Sequence, residues 1–257
     1  MSRLILSAQN IDVYEGDGLD PVARTGATTA QQVHRAGATG VILGHSEVGD
    51  APDILQKKLL TIMNNNDSKF LPHITLLVGE SWEEFQQYTH TEVGEIVSAR
   101  AVSVLKDIPQ NRISEMVVGY EPKWGSRGSG HDEVEPPSPE LVSIVSRKLR
   151  EVLPSSLPII YGGRSTPQRT TAILADENIE GLILGSACDS VAKTLSIAEA
   201  MSASRPGKRK ILHANFKAFT LRDSYEQYVE ALRLLDDTFT IYLSPCHADL
   251  RAVAPLL

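Results

Sequence analysis

Thr39-Gly40-Val41-Ile42-Leu43-Gly44-His45-Ser46-Glu47 is an aliphatic run that reaches a glycine and then turns polar. A strand covered on both faces, as in a parallel sheet, shows no polar alternation and reads as a short continuous apolar run. Residues 39–43 have that form, and so do residues 4–8, 73–78, 116–120, 158–161, 181–184, 210–214 and 239–243. Longer, more polar stretches of helical character separate them. Residues 50–65 are one, and residues 81–104 another, opening on Ser81-Trp82-Glu83-Glu84, a capping-box pattern. Residues 138–153 open on Ser-Pro, and residues 223–235 place Tyr225, Tyr228, Val229, Leu232 and Leu235 on one face. Shorter helices are expected after the strands ending near Ala8, Tyr161, Leu184 and Leu243. Strand and helix alternating eight times is the pattern of a closed parallel barrel, the (β/α)8 or TIM barrel fold in the α/β class. A doubly wound open sheet is the rival reading.

The bulk properties agree with one such unit. The 257 residues match the ~250 of a typical eightfold barrel. Hydrophobic residues make up 42% and charged residues 22% of the chain, ordinary values for a globular protein. A net charge of −7 argues against nucleic acid or an anionic membrane as partner. No apolar stretch approaches the ~18 residues that suggest a membrane span. Met1-Ser2-Arg3-Leu4-Ile5-Leu6-Ser7 is too short an apolar run for a signal peptide. Cys188 and Cys246 lie far apart and form no CxxC pair, which fits a reducing compartment and argues against a disulfide or zinc framework. A cytoplasmic location is the expectation. Residues 201–210, rich in Ser, Arg, Pro, Gly and Lys, read as a linker inside a single domain of residues 1–257, because too few residues follow for an independent unit.

The chemistry-bearing residues cluster where strands end, which in a barrel is where active sites lie. His45 follows the strand at 39–43; a histidine satisfied locally in a loop is the bland alternative. A nucleophile elbow fails there, because Val48 stands where G-x-S-x-G needs its second glycine. Glu121 follows the strand at 116–120, and Pro122 pushes it into an extended conformation. A carboxylate pinned at a strand tip suits a general base; a surface glutamate at a turn is the alternative. The segment Gly125-Ser126-Arg127-Gly128-Ser129-Gly130 suits a lid or a phosphate cradle, since glycine lets amides approach an anion. It is neither a Walker loop nor a dinucleotide fingerprint. Two further small-residue turns follow strands, Tyr161-Gly162-Gly163-Arg164-Ser165 and Leu184-Gly185-Ser186-Ala187. Neighbouring strand-end turns of this kind recur as phosphate sites in such barrels. Alternation puts Asn215 and Lys217 on one face and Phe216 on the other. There a lysine neutralises a phosphate or a developing enediolate, whereas a snorkelling surface lysine is the commoner case.

Together these segments resemble the triosephosphate isomerase family. The matching strings are Ala8-Gln9-Asn10, Val41-Ile42-Leu43-Gly44-His45-Ser46-Glu47, Val78-Gly79-Glu80, Tyr120-Glu121-Pro122 with Trp124, Tyr161-Gly162-Gly163 and Asn215-Phe216-Lys217. The order is rotated: in the family the Asn-aromatic-Lys strand opens the chain, whereas here it follows the linker. The resemblance therefore implies a circular permutation that starts at the family's third strand, with 201–210 joining the family's C-terminal helix to its first strand. The ends of a closed barrel lie close together, so the fold tolerates this. An excised piece of a tandem duplication is an alternative origin.

The resemblance implies a catalytic set of Glu121, His45 and Lys217. Glu121 would be the base and His45 the neutral electrophile, the pairing that is the established pattern of triosephosphate isomerases. Asn215 and Lys217 would hold the substrate. Amides at Gly128, Ser165 (or Arg164), Gly185 and Ser186 would grip its phosphate. Ser46, Glu47 and Tyr161 would support the site. The implied reaction interconverts glyceraldehyde 3-phosphate and dihydroxyacetone phosphate through an enediolate, with no metal and no cofactor. The implied partners are a small phosphorylated sugar and a second copy of the chain, with Thr25-Gly26 as the loop tip that reaches into that copy. Several positions depart from the family pattern. Val48-Gly49 replace two arginines, Arg127 is extra in the lid, Arg164 stands where a serine is expected, and Ser186 replaces a glycine. Each departure touches the phosphate grip or its support. An erythrulose phosphate is therefore the runner-up substrate, and a barrel that binds phosphorylated metabolites without catalysis is a further alternative.

Overall fold

The strand tips converge because eight parallel strands close on themselves. A computed structural model describes residues 3–13, 26–65, 70–113 and 116–257. In chain order its elements begin with β1 (Arg3–Ala8), α1 (Ala30–Arg35), β2 (Gly40–Leu43), α2 (Pro52–Met63) and β3 (His73–Val78). There follow α3 (Trp82–Gln87), α4 (His90–Leu105), α5 (Gln110–Ile113), β4 (Val117–Tyr120), α6 (Pro139–Val152) and β5 (Ile159–Gly162). The last are α7 (Pro167–Leu174), β6 (Gly181–Leu184), α8 (Val191–Ser204), β7 (Lys210–Asn215), α9 (Tyr225–Arg233), β8 (Phe239–Ser244) and α10 (Leu250–Val253). Each strand pairs in parallel with the next, and β8 pairs with β1 in the register Leu4 to Ile241 and Leu6 to Leu243. That last pairing decides for the (β/α)8 barrel over the open sheet.

The apolar runs are continuous because both strand faces are covered. Ile5, Ile42, Leu77, Val117, Ile160, Ile183, Ile211 and Tyr242 fill the barrel interior. Their strand neighbours, such as Leu6, Leu43, Leu76, Val78, Leu182 and Leu184, pack outward against the helices. Two glycines let strand ends come closer than a side chain would allow. A Cβ on Gly44 (φ +81°) would lie 2.2 Å from the Leu77 carbonyl oxygen, and one on Gly79 would lie 2.1 Å from that of Glu121.

Three sequence expectations need correction. The helix expected over residues 81–104 is two helices, broken at Tyr88, which is extended (φ −112°, ψ 155°). The cause is a second capping box: Thr89 accepts from the Glu92 amide and Glu92 accepts from the Thr89 amide, so the chain restarts a helix there. The linker is shorter than residues 201–210. Met201–Ser204 continue α8, since Met201 packs into the core at 0% exposure, and Lys210 already belongs to β7. The remaining connection is tied down by buried cations: Arg205 donates to the Ile179 carbonyl (2.7 Å), and Lys210 Nζ to the Arg205 and Lys208 carbonyls (3.1 and 2.8 Å). The helix after Leu184 is not short, spanning Val191–Ser204. Thr25, half of the expected intersubunit loop tip, lies outside the described residues.

Candidate active site

One narrow cleft at the C-terminal ends of the strands, with a cavity volume of about 30 Å³, gathers His45, Glu121, Gly185, Ser186, Asn215 and Lys217. Each arrives by a different route. Gly44, in the left-handed region, ends β2 and turns His45 and Ser46 inward. The Glu121 amide donates to the Val78 carbonyl (2.8 Å), extending the ladder one residue beyond β4 before Pro122 ends it. Asn215 is the last residue of β7. Lys217 then adopts φ +49°, a left-handed conformation uncommon outside glycine, held from both sides. Its amide donates to Asn215 Oδ1 (3.1 Å), and its carbonyl accepts from Gln9 Nε2 (2.9 Å), which also donates to the Ser244 carbonyl (3.0 Å). Phe216 packs away from the cleft against Tyr225 and Tyr228.

His45 and Glu121 are both buried and face one another, Nε2 to Oε1, at 3.3 Å. Glu121 Oε2 accepts from the Ser46 amide (2.9 Å). The Glu47 amide donates to His45 Nδ1 (3.2 Å). On these hydrogen bonds Nδ1 is an acceptor without a proton, and a neutral ring carries its proton on Nε2, toward the carboxylate. Lys217 Nζ forms an ion pair with Glu47, and its side chain runs across Gly185, where a Cβ would stand 3.2 Å from Cε. The result is a carboxylate, an imidazole N–H donor and an ammonium around one small space. That set can remove a proton beside a carbonyl and stabilise the oxyanion that forms.

Other expected residues sit elsewhere. The Gly128 amide does not face the cleft; it donates to both oxygens of Asp132 (2.9 and 3.1 Å), which satisfy it within the loop. Ser165 lines an adjoining cavity instead of the cleft. Its neighbour Arg164 crosses to the segment after the lid and donates to the carbonyls of Asp132 (2.8 Å) and Val134, and Ser165 Oγ donates to the Gly163 carbonyl (3.3 Å). Tyr161 is fully buried, below the cleft and not on its wall. Burial pushes its hydroxyl up to about 12, and its oxygen would lie 2.2 Å from a Cβ on Gly163.

Some residues around the site were given no role from sequence. Glu80, 1% exposed, accepts from the Tyr120 hydroxyl (3.0 Å) and from Trp124 Nε1 (2.9 Å), anchoring the root of the lid; burial raises its pKa above the usual carboxylate value. The His131 ring stacks on Trp82 at 4.6 Å. His213, completely buried, lies between Thr75 Oγ1 (3.3 Å) and Ser244 Oγ (2.7 Å), with its pKa lowered to about 3 by burial and then by His45. Its place two residues before Asn215 could have marked it, because alternation gives both the same face. Among the described residues no group of three or more His, Cys, Asp or Glu could hold a metal, and no helix is long and apolar enough to cross a membrane.

The sequence model of one family, triosephosphate isomerase, matches residues 1–201. Three similar relatives are themselves named triosephosphate isomerase. The protein of Chlorobaculum tepidum is 30% identical over 207 residues, covering 77% of this chain and 78% of the relative. That of Psychrobacter sp. is 30% identical over 216 residues, covering 77% and 75%. That of Mycoplasmoides gallisepticum is 26% identical over 186 residues, covering 69% and 70%. With an eight-stranded parallel barrel and this match over most of its length, the chain belongs to the triosephosphate isomerase family.

Proposed function

We propose that the chain interconverts glyceraldehyde 3-phosphate and dihydroxyacetone phosphate. The observation that carries this reading is the 3.3 Å approach of His45 Nε2 to Glu121 Oε1, with Nδ1 already engaged by the Glu47 amide. Glu121 takes a proton from the carbon beside the carbonyl and returns it to the neighbouring carbon. His45 donates its Nε2 hydrogen to the carbonyl oxygen and relays protons between the two oxygens. Lys217 and Asn215 orient the substrate, and the Lys217 ammonium offsets the charge of the enediolate. The Gly185 and Ser186 amides hold the phosphate. Gly128 joins them when the lid at 125–130 closes and releases its amide from Asp132. Closure excludes water and protects the enediolate. A dehydrogenase-coupled assay in both directions tests the reading. Turnover of the triose phosphates supports it, and a folded protein inert toward them overturns it.

A tetrulose phosphate such as an erythrulose phosphate is the second reading, favoured by Arg164 and Arg127 at the border between the cleft and its neighbouring cavity. The same assay with that ketose separates the two by kcat/KM. A barrel that binds such metabolites without catalysis predicts affinity for both and turnover of neither. We also propose that the chain order is permuted relative to the family. The family match ends at residue 201, and β7 and β8, which follow it, stand between β6 and β1 and bring Asn215 and Lys217 to the site. A homodimer in the cytoplasm follows from the same resemblance; light scattering on the purified chain tests the dimer.

A further inference from the structure

Beside the catalytic cleft opens a second cavity of about 280 Å³. Arg127, Arg164 and Ser186 border both spaces, whereas Glu121, His45, Asn215 and Lys217 border only the first. The annexe therefore leaves the cleft on the side away from the reacting groups, past the Gly185–Ser186 turn. Arg127 of the lid, Arg164, Ser165 and Thr166 of the β5–α7 connection, and Lys193 in the first turn of α8 surround it. Three cations thus face one space in a chain whose net charge is −7.

Their own partners compensate one of the three charges and leave the two arginines without a counter-charge among the described residues. Lys193 pairs with Asp189 (2.8 Å) and is half exposed. Arg164 spends NH1 and NH2 on the carbonyls of Asp132 and Val134, so its guanidinium is fixed in place, and its buried Nε has no hydrogen-bond partner. Carbonyls orient a guanidinium without cancelling its charge. Among the described residues neither arginine forms an ion pair, and Lys217, the cation of the catalytic cleft, is already matched by Glu47. Like charges held together in a concave wall raise the local concentration of anions and repel one another until an anion enters. The Thr166 and Ser186 hydroxyls supply neutral donors beside the cations, whereas Ser165 Oγ already donates to the Gly163 carbonyl (3.3 Å).

We propose that the annexe is a second oxyanion subsite. The chain would then bind ligands carrying two linked oxyanion groups, one at the Gly185–Ser186 turn and the other between Arg127, Arg164 and Lys193. Compounds that bear a second phosphoryl or carboxylate group beyond the first phosphate are the class it takes, and they compete with the monophosphate substrate. The inference rests on the reading of Gly185–Ser186 as the phosphate cradle.

Inorganic pyrophosphate, compared with inorganic phosphate at fixed ionic strength, is the probe, read by calorimetry on the full chain and by competitive inhibition of turnover. The structure predicts that pyrophosphate binds at least about tenfold more tightly, since a charge-assisted contact carries roughly a tenfold effect or more. Lys193→Gln and Arg127→Gln should each remove most of that advantage, with phosphate affinity in Lys193→Gln unchanged within about twofold. Both side chains are exposed, so neither substitution threatens folding. Equal affinity for the two anions in the unmodified chain overturns the proposal, and so does an advantage that survives either substitution. Calorimetry needs no turnover. A pyrophosphate preference in a chain inert toward triose phosphates therefore sinks the isomerase reading alone, whereas turnover without the preference sinks the annexe alone.

Discussion

Replacing Gln9 with leucine tests whether the strained conformation of Lys217 is held by its neighbours. A non-glycine residue at φ +49° costs about 1–3 kcal/mol and persists only when its surroundings over-determine it. Here the determinants are the Asn215 side chain on the Lys217 amide and the Gln9 amide group on its carbonyl, the latter also bridging to Ser244. Each bond from Gln9 contributes about 0.5–1.5 kcal/mol net, so the pair matches the strain in size. Leucine removes both bonds and lets Lys217 relax, and relaxation returns much of what the bonds supplied. The predicted net loss of stability is about 1 kcal/mol, a fall in Tm of about 2–4 °C for a chain of this length. Activity has no such compensation. A relaxed Lys217 moves its ammonium off the developing charge, and a misplacement of about 1 Å costs up to a hundredfold. The coupled assay should therefore show kcat/KM lower by about tenfold to a hundredfold, beside a nearly unchanged melting curve. A kcat/KM within about twofold of the parent would refute the reasoning. So would a large drop in Tm that accounts for the lost activity by unfolding.

Asp132→Asn weakens the hold on the Gly128 amide; at this exposed site the effect is about 1 kcal/mol, so phosphate should inhibit at about fivefold lower concentration, measured as Ki. The folded-state pKa of His213, lowered to about 3 from 6.5, means that the unfolded chain binds a proton first. Stability contributed there is full above about pH 6.5 and lost as pH falls toward 3. Urea unfolding across that range should show a shallower acid loss in His213→Gln, although His73, lowered to about 4, leaves a residual slope. Glu80 has the opposite sign: its raised folded pKa makes its contribution full below 4.5, and that contribution is lost as pH rises through the folded value. Glu80→Gln should flatten that part of the same curve.

The barrel was legible because parallel strands buried on both faces leave an unmistakable apolar run, and all eight runs fell within a residue or two of β1 to β8. Closure was not legible from the pattern, since a βα unit looks alike in a barrel and in an open sheet; only the β1–β8 pairing decides it. The positions of His45, Glu121, Asn215 and Lys217 followed from their places at strand ends. The lid did not. Asp132 on Gly128, Arg164 on the segment after the lid and His131 on Trp82 are contacts made by a loop folding on itself and on its neighbours. Backbone amides leave no residue-type signature that fixes where they point, which is why Gly128 and Ser165 were expected in the cleft. The break at Tyr88 did have a signal, the string Thr89-His90-Thr91-Glu92, hidden inside a longer helical stretch.

Proton exchange at carbon reads the role of Glu121 without reference to any other step. Dihydroxyacetone phosphate incubated in deuterated water with the chain should gain one deuterium at the carbon beside its carbonyl, seen by proton NMR. Glu121→Gln, with its melting curve unchanged, should slow that exchange by about a hundredfold or more. Exchange at the parent rate in Glu121→Gln, or none in the folded parent chain, would contradict the account.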